Sequence, residues 1–298
     1  MNNSFVLGGD IGGTHITTAL VNLHTNTILP NSRVRKDVNS QASAAEIITT
    51  WIAAFKEASA RVNASISKIG LAIPGPFDYS AGICKIKGQS KYEALYNLDV
   101  KALIAEKFPI APEHILLVND AEGFLHGEVF SGAAQGFNNV IGLTLGTGLG
   151  TATYHYGKVV DADLWGMAFL DTIAEDYLAT RWFVKRYEQL TGKLIKDVKE
   201  LAELVTADAS LQIIFDEFGR NLGHFLCEFM QKDKSEVVVL GGNIAKAQAL
   251  FLPQTEKILA EANKPVLLKQ AMLGEEAPLM GAASLWKAKQ VNSILALD

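Results

Sequence analysis

The sequence predicts an α/β protein built from two related lobes. Three observations carry that expectation. A strand, a Gly/Thr turn and a second strand near the N-terminus, in FVLGGDIGGTHITTALVN, recur half a chain later in VIGLTLGTGLGTATYHYGK. Between and after these copies, apolar strand-like runs alternate with stretches of helical periodicity. The chain has 298 residues, enough for two lobes with cores of their own.

In the first copy, Phe5-Val6-Leu7 leads into GDIGGT, residues 9–14, and a β-branched strand from Ile16 to Val21 leads out. In the second, Val140 to Thr144 leads into Gly146-Thr147-Gly148, and Thr151 to Tyr156 leads out. A dinucleotide-binding fingerprint opens a helix after its glycines, so a strand there argues against a Rossmann unit. Taken singly, either cluster reads as a hairpin turn in which glycine is merely permissive. Taken together, they read as two sets of backbone amides able to approach phosphates.

Further elements follow in order. QASAAEIITTWIAAFKEASA, residues 41–60, places Ile47, Ile48, Trp51, Ile52 and Phe55 on one helical stripe. KIGLAIPGPFD, 68–78, is a buried-type strand ending in Pro74-Gly75-Pro76, which read locally is a rigid turn. HILLVND, 114–120, is a second such strand, ending in Asn119-Asp120 before a helical run. Residues from Ile173 to about Glu228 are mostly helical, with Gly192 as a stop after DYLATRWFVKRYEQLT. EVVVLGGNIAKAQALF, 236–251, reads strand, Gly241-Gly242 turn, helix, and APLMGAASLWKAKQ is a small-residue helix. The expected division is 1–120 with a C-terminal helix at about 280–298, against 121–279.

Composition narrows the function classes. Net charge is 27 − 32 = −5 without a dense basic cluster, which disfavours nucleic-acid binding. Cys84 and Cys227 have no metal-type spacing and suggest a reducing compartment. The N-terminal MNNSFVLGGD lacks a basic region and a long apolar run, and no stretch reaches the length of a membrane span. The expectation is a soluble, cytoplasmic protein with no membrane partner.

Ligands of open α/β sheets bind beyond the C-terminal strand ends. Those ends carry Asp10, Gly75, Asn119, Asp120 and Gly146 to Gly148. Thr14 and Thr147 can add hydroxyl donors to the glycine amides. A carboxylate at Asp10 repels a phosphate unless a bridging Mg²⁺, reached through water, lies between them; otherwise Asp10 is a turn former. Asp120 suits a general base in phosphoryl transfer, or else a helix N-cap. Asn119 can hold a neighbouring hydroxyl. His126, His155 and His224 are scattered and read as structural.

The order DIGGT, GLAIPGPFD, VNDAEGFLHGE, GLTLGTGLG, VVVLGGNIAKA and MGAAS resembles the ROK family of sugar kinases, glucokinase-like members of the actin/hexokinase ATPase superfamily. The resemblance runs from Val6 to Trp286. It implies a two-lobed actin-like, ribonuclease H-like fold with a cleft between the lobes, and MGAAS as the last helix, returning to the N-terminal lobe. It implies ATP and Mg²⁺ as cofactors, with phosphate contacts from Asp10, Gly12, Gly13, Thr14, Gly146, Thr147 and Gly148. It places Gly241 and Gly242 beside the adenosine and the catalytic base on Asp120. A hexose or amino sugar is the implied substrate, near Gly75, Asn119 and Asp120, and a homodimer the implied assembly. Family members carry Glu-x-Gly-His and a cysteine cluster that hold zinc. This chain has DADLWGMAFLDTIAEDYLATR there, without Cys or His, so zinc is not expected. AEDYLAT resembles the tail of that motif and puts a sugar-binding carboxylate on Glu175, an acid whose place in a first helical turn also suits the helix dipole. Asp163 is the candidate for the other. Two further readings are a non-catalytic sugar-binding regulator of the same fold and a DNA-binding repressor, the latter disfavoured by charge and by the absence of a helix-turn-helix before DIGGT.

Overall fold

A computed structural model describes residues 5–89, 91–231 and 234–295. The chain forms two compact units, one made of residues up to Gln135 together with those from Glu275 onward, the other of Gly136–Gly274.

The first unit opens with β1 (Phe5–Ile11) and β2 (His15–Asn22), an antiparallel hairpin, and continues through β3 (Thr27–Ile28) and β4 (Val34–Asp37), both paired with β2. Helix α1 (Ala44–Arg61) starts at a capping box: Ser43 and Glu46 satisfy each other's free amides. Its predicted stripe is its buried face, with Ile47, Ile48, Trp51, Ile52 and Phe55 in the core. Removing each such side chain from water contributes about 1.5–3 kcal/mol, which outweighs the few tenths that any propensity difference supplies. Strand β5 (Ile69–Ala72) lies parallel to β1. After the short pair β6 (Phe77–Asp78) and β7 (Ile83–Cys84) and helix α2 (Val100–Lys107), strand β8 (Ile115–Val118) lies parallel to β5. Helix α3 (Asp120–Ser131) follows at once.

The second unit repeats the plan. β9 (Asn139–Leu145) and β10 (Leu149–His155) form the antiparallel hairpin and β11 (Lys158–Asp161) extends it. A small pair, β12 (Ala168–Phe169) and β13 (Thr172–Ile173), leads into helices α4 (Ala174–Leu178), α5 (Thr180–Thr191), α6 (Val198–Ala207) and α7 (Gln212–Phe229). α5 stops where predicted, at Gly192 in the left-handed conformation. β14 (Val237–Gly241), helix α8 (Gln248–Glu261) and β15 (Leu267–Gln270) complete the unit, with β9, β14 and β15 parallel. Its core is aromatic: Phe183, Phe215, Phe218 and Phe251 pack with ring centroids 4.6–5.3 Å apart. Each sheet is therefore a hairpin followed by two parallel strands, the internal echo seen in the sequence.

Helix α9 (Ala277–Leu295) then returns to the first unit and packs on β1, β5 and α3. The approach is backbone to backbone. A methyl group added at Gly8, Gly70, Gly127 or Gly281 would run into the main chain of Leu279, Ala282, Ala277 or Gly123, respectively. The buried Trp286 donates its Nε1–H to the Ile69 carbonyl at 2.9 Å. Because α3 packs against α9, the compact units divide after Gln135 and Gly274, rather than after 120 and 279 as the sequence suggested.

Glycine inside a helix normally costs about 1 kcal/mol relative to alanine, so Gly281→Ala ought to stabilise α9 if propensity decided. The overpacking cost is larger, roughly 1–3 kcal/mol or more. Thermal unfolding of this variant should show a midpoint lowered by about 5 °C or more; an unchanged or raised midpoint would mean the backbones can separate at little cost.

Candidate active site

Three parallel strands of the first unit end level with one another, since Asp10 pairs with Ala72 and Ala72 with Val118. The residues just beyond are Gly75, Asn119 and Asp120. The structure thus brings Asp10, Gly75, Asn119 and Asp120 to one sheet edge, at the carboxyl ends where open α/β sheets bind ligands.

Asn119, and not Asp120, caps α3. Its Oδ1 accepts the Ala121 and Glu122 amides at 2.7 and 3.4 Å. Asp120 is thereby the first residue of the helix, its Oδ1 accepting the adjacent Ala121 N–H at 2.9 Å. The other side of Asn119 donates from Nδ2 to the Tyr79 hydroxyl (3.2 Å), which donates to the Ile73 carbonyl (3.1 Å). Tyr79 thus locks the Asn119 amide and the cis Gly75-Pro76 turn into one framework. Nothing in the sequence pattern marks this tyrosine, because its role depends on a chain reversal forty residues before Asn119.

The first glycine turn is equally fixed. The β1–β2 ladder closes at Gly12, whose amide donates to the His15 carbonyl at 2.9 Å. The buried Tyr92 hydroxyl donates to the Gly12 carbonyl. Gly13 and Thr14 lie beyond the ladder, with open space around Gly13 and Thr14 exposed. They sit on a turn whose base is held by hydrogen bonds, with space for a ligand to approach the backbone, an arrangement suited to an anion.

Electrostatics single out the two acids. Burial, followed by the Asp120 charge, pushes Asp10 up from 3.8 to about 7. Arg35 opposes this: it stands opposite Thr17 on β4, and Thr17 stands opposite Asp10, so one sheet row joins the three. Arg35 is itself held by Glu275 at 3.3 Å. Asp120 is open to solvent by area, but protein fills most of the volume around it, and that surrounding raises its carboxyl above the ordinary range. His126, deeper on α3, is pushed down to about 4 by burial and stays neutral.

Two repelling carboxyl groups at one edge fit a divalent cation that keeps phosphate and water ligands. Mg²⁺ bound through one or two carboxylates has this character, whereas an all-protein cage does not. Among the described residues no cluster of three or more His, Cys, Asp and Glu could hold a metal on its own.

The second unit carries the other candidates. At the β9–β10 turn the Gly146 amide donates to Gly148 (3.1 Å), while the Gly146 carbonyl accepts from the Thr180 amide and hydroxyl (2.8 and 2.9 Å). Thr147 is exposed at the tip. Glu175, in the first turn of α4, accepts the Leu149 amide on Oε2 (3.0 Å) and pairs with Arg181 through Oε1 (2.9 Å). Gly148 lies against that carboxylate. Gly241 ends β14, and Gly242 turns with φ +84°, directly against the Leu145 backbone. Only glycine meets both demands. Asp163 is exposed and also left-handed (φ 49°), and its carboxylate accepts the indole N–H of Trp165 at 2.7 Å. A surface cavity of about 770 Å³ lies elsewhere in the first unit, beside the start of α1, with Asp37, Asn39, Glu46 and Thr49 among its walls.

The sequence profile of the ROK family matches residues 6–163 and 173–289. The chain belongs to the ROK family. It is 24% identical to a glucokinase of Thermotoga maritima, over 95% of this chain and 98% of that one. Identity to an N-acetyl-D-glucosamine kinase of Mannheimia succiniciproducens is also 24%, over 95% and 99%. Its fold matches a ROK family glucokinase from Streptomyces griseus, solved in complex with glucose and AMPPNP, with a TM-score of 0.75 at 21% identity over 94% and 98% of the two chains. The fold is accordingly the α/β actin-like ATPase fold of this family, and the two hairpin turns are this ROK chain's counterparts of one another.

Because the fold lifts Asp10 above its unfolded value of 3.8, the protonated acid contributes stability that is fully present below about 4 and is lost as the pH rises through about 7. Asp10→Asn keeps the neutral form at every pH. In metal-free, nucleotide-free buffer its unfolding free energy should gain about 2 kcal/mol on the parent between about pH 5 and about pH 8, measured by urea titration. A gap that stays constant with pH would show that Asp10 ionises freely.

Proposed function

We propose that this chain is an ATP-dependent kinase of a hexose or amino sugar, with Asp120 as the general base on the sugar hydroxyl. The observation that carries this reading is the division of labour at the start of α3. Asn119 takes the capping role, which leaves Asp120 at a strand end with a raised pKa and an open approach from solvent. A carboxylate so placed accepts a proton more readily than an ordinary surface aspartate.

The reaction follows from that placement. The hydroxyl oxygen of the sugar bonds to the terminal phosphorus as its proton passes to Asp120. The bond from that phosphorus to the bridging oxygen breaks, and ADP leaves with the electron pair. Asn119, held by Tyr79, orients a hydroxyl beside the reacting one. Gly13 and Thr14 are the candidates to offer amides to phosphate oxygens, Gly146, Thr147 and Gly148 are their counterparts in the second hairpin turn, and Gly241 and Gly242 are the candidates for the adenosine turn. Asp10 would hold Mg²⁺ at this edge, and the ion would neutralise charge on the phosphates. Glu175 remains the candidate for reading a sugar hydroxyl from α4. Support comes from the family, from the glucokinase and N-acetylglucosamine kinase relatives, and from the nucleotide-bound neighbour.

A second reading, a sugar-binding regulator without turnover, has one observation in its favour. Residues 164–172 fall outside the family match, and both oxygens of Glu175 are already engaged within the protein. A coupled ADP assay over a panel of hexoses and N-acetylated sugars separates the two. With an active sugar, Asp120→Asn should lower kcat by about 10²–10⁴-fold and leave nucleotide affinity within a few-fold. Near-normal turnover in that variant contradicts the mechanism, and sugar binding without ADP from the parent protein favours the regulator.

A further inference from the structure

Residues 164–172 are the only internal stretch that the family match leaves out. They begin Leu164-Trp165-Gly166. Of the four tryptophans, Trp51 and Trp286 are buried and Trp182 packs on Phe183 and Phe218, but Trp165 is 49% exposed. A single exposed apolar side chain is ordinary on a protein surface. Trp165 differs in being held. Its ring N–H donates to the Asp163 carboxylate at 2.7 Å, a charge-assisted bond that fixes the plane of the indole. Its carbonyl accepts the Glu175 amide at 3.0 Å, which ties the residue to the candidate sugar-reading carboxylate. One residue before it, the Leu164 amide donates to the Thr151 hydroxyl of β10 at 3.0 Å. One residue after it, Gly166 leaves open space. Asp163 adopts the left-handed conformation to make this geometry, and its own amide is bonded to Asp161 at 2.8 Å.

We propose that Trp165 is a stacking platform for the apolar face of the sugar ring and that Asp163 is the residue that positions it. The inference rests on the sugar-kinase reading above. A pyranose whose hydroxyls are equatorial exposes axial C–H groups on its faces, and an indole face is a large rigid apolar surface that meets them at little entropic cost. With its N–H already bonded, the ring offers the ligand a face rather than a donor. Asp163 then serves the sugar through Trp165 instead of touching it.

The test is a kinetic and fluorescence comparison of Trp165→Ala, Trp165→Phe, Asp163→Ala and Asp163→Asn with the parent chain. Trp165→Ala should raise the KM for glucose or N-acetylglucosamine about tenfold while the KM for ATP stays within about twofold. Trp165→Phe should recover much of the loss. Asp163→Asn, which keeps an acceptor for the indole, should stay near the parent, whereas Asp163→Ala should follow Trp165→Ala. Independently, acrylamide quenching of the exposed tryptophan emission should fall when sugar is added to the parent protein, and should not change in Trp165→Phe. An unchanged sugar KM in Trp165→Ala, or quenching that no sugar alters, overturns the platform. Absence of ADP from the parent with every sugar overturns the kinase reading alone, and the quenching arm then decides the platform by itself.

Discussion

Helix α9 meets β1, β5 and α3 backbone to backbone at Gly8, Gly70, Gly127 and Gly281, and the geometry of the acidic edge depends on that contact. Gly8 and Gly70 make room in the sheet, Gly127 in α3 and Gly281 in α9 itself. Main-chain groups that come this close leave no slack in how α3 sits against β1. Asp120 is the first residue of α3 and Asp10 lies near the end of β1, so the same contact sets the separation of the two carboxyl groups. It also brings Glu275, just ahead of α9, to the end of Arg35. Dispersion and exclusion of water contribute to such an interface as they do elsewhere in a core. Its particular effect is to hold two acids near each other where either would otherwise turn to water.

That closeness has a chemical purpose. A carboxyl group pushed up to about 7 in Asp10, with a second raised carboxyl in Asp120, is an unfavourable arrangement in the resting protein. Local destabilisation of this kind is commonly concentrated at functional sites. Under the proposed kinase function, a divalent cation with its phosphates beside one acid and a sugar hydroxyl beside the other would relieve it. Arg35 limits the cost meanwhile, through the row that links it across Thr17 to Asp10.

Much of this was legible in the sequence, for physical reasons that can be named. The repeated strand, glycine turn and strand were visible because a turn that must expose its amides tolerates few side chains. The α1 stripe was visible because a helix with one buried face imposes its period on the apolar residues. Asp120 stood out because it closes an apolar strand, yet the sequence could not decide between base and cap; the structure gives the cap to Asn119, and the base is the role proposed for Asp120. Tyr79, Tyr92 and Arg35 were not legible, since each acts through a partner distant in sequence: Asn119, the Gly12 carbonyl and the Asp10 row. Gly281 reads in the sequence as part of a small-residue helix and nothing there marks Gly8, Gly70 or Gly127, because the requirement for no side chain appears only when two backbones are seen to touch. Asp163 is a candidate sugar ligand through its place in the segment that resembles the family's sugar motif, and its bond to Trp165 emerges only from the fold.

The acid pair sits in a surrounding that resists ionisation. Carboxyl-carbon NMR of protein labelled with ¹³C at aspartate, titrated without metal or nucleotide, observes that pair directly. One resonance should titrate near 7, as the Asp10 environment requires, and should vanish in Asp10→Asn. In Asp120→Asn the Asp10 resonance should move to lower pKa as its neighbour's charge is removed. If every aspartate titrates in the ordinary range around 4, the acids do not interact as described and the placement of base and metal at this edge is wrong.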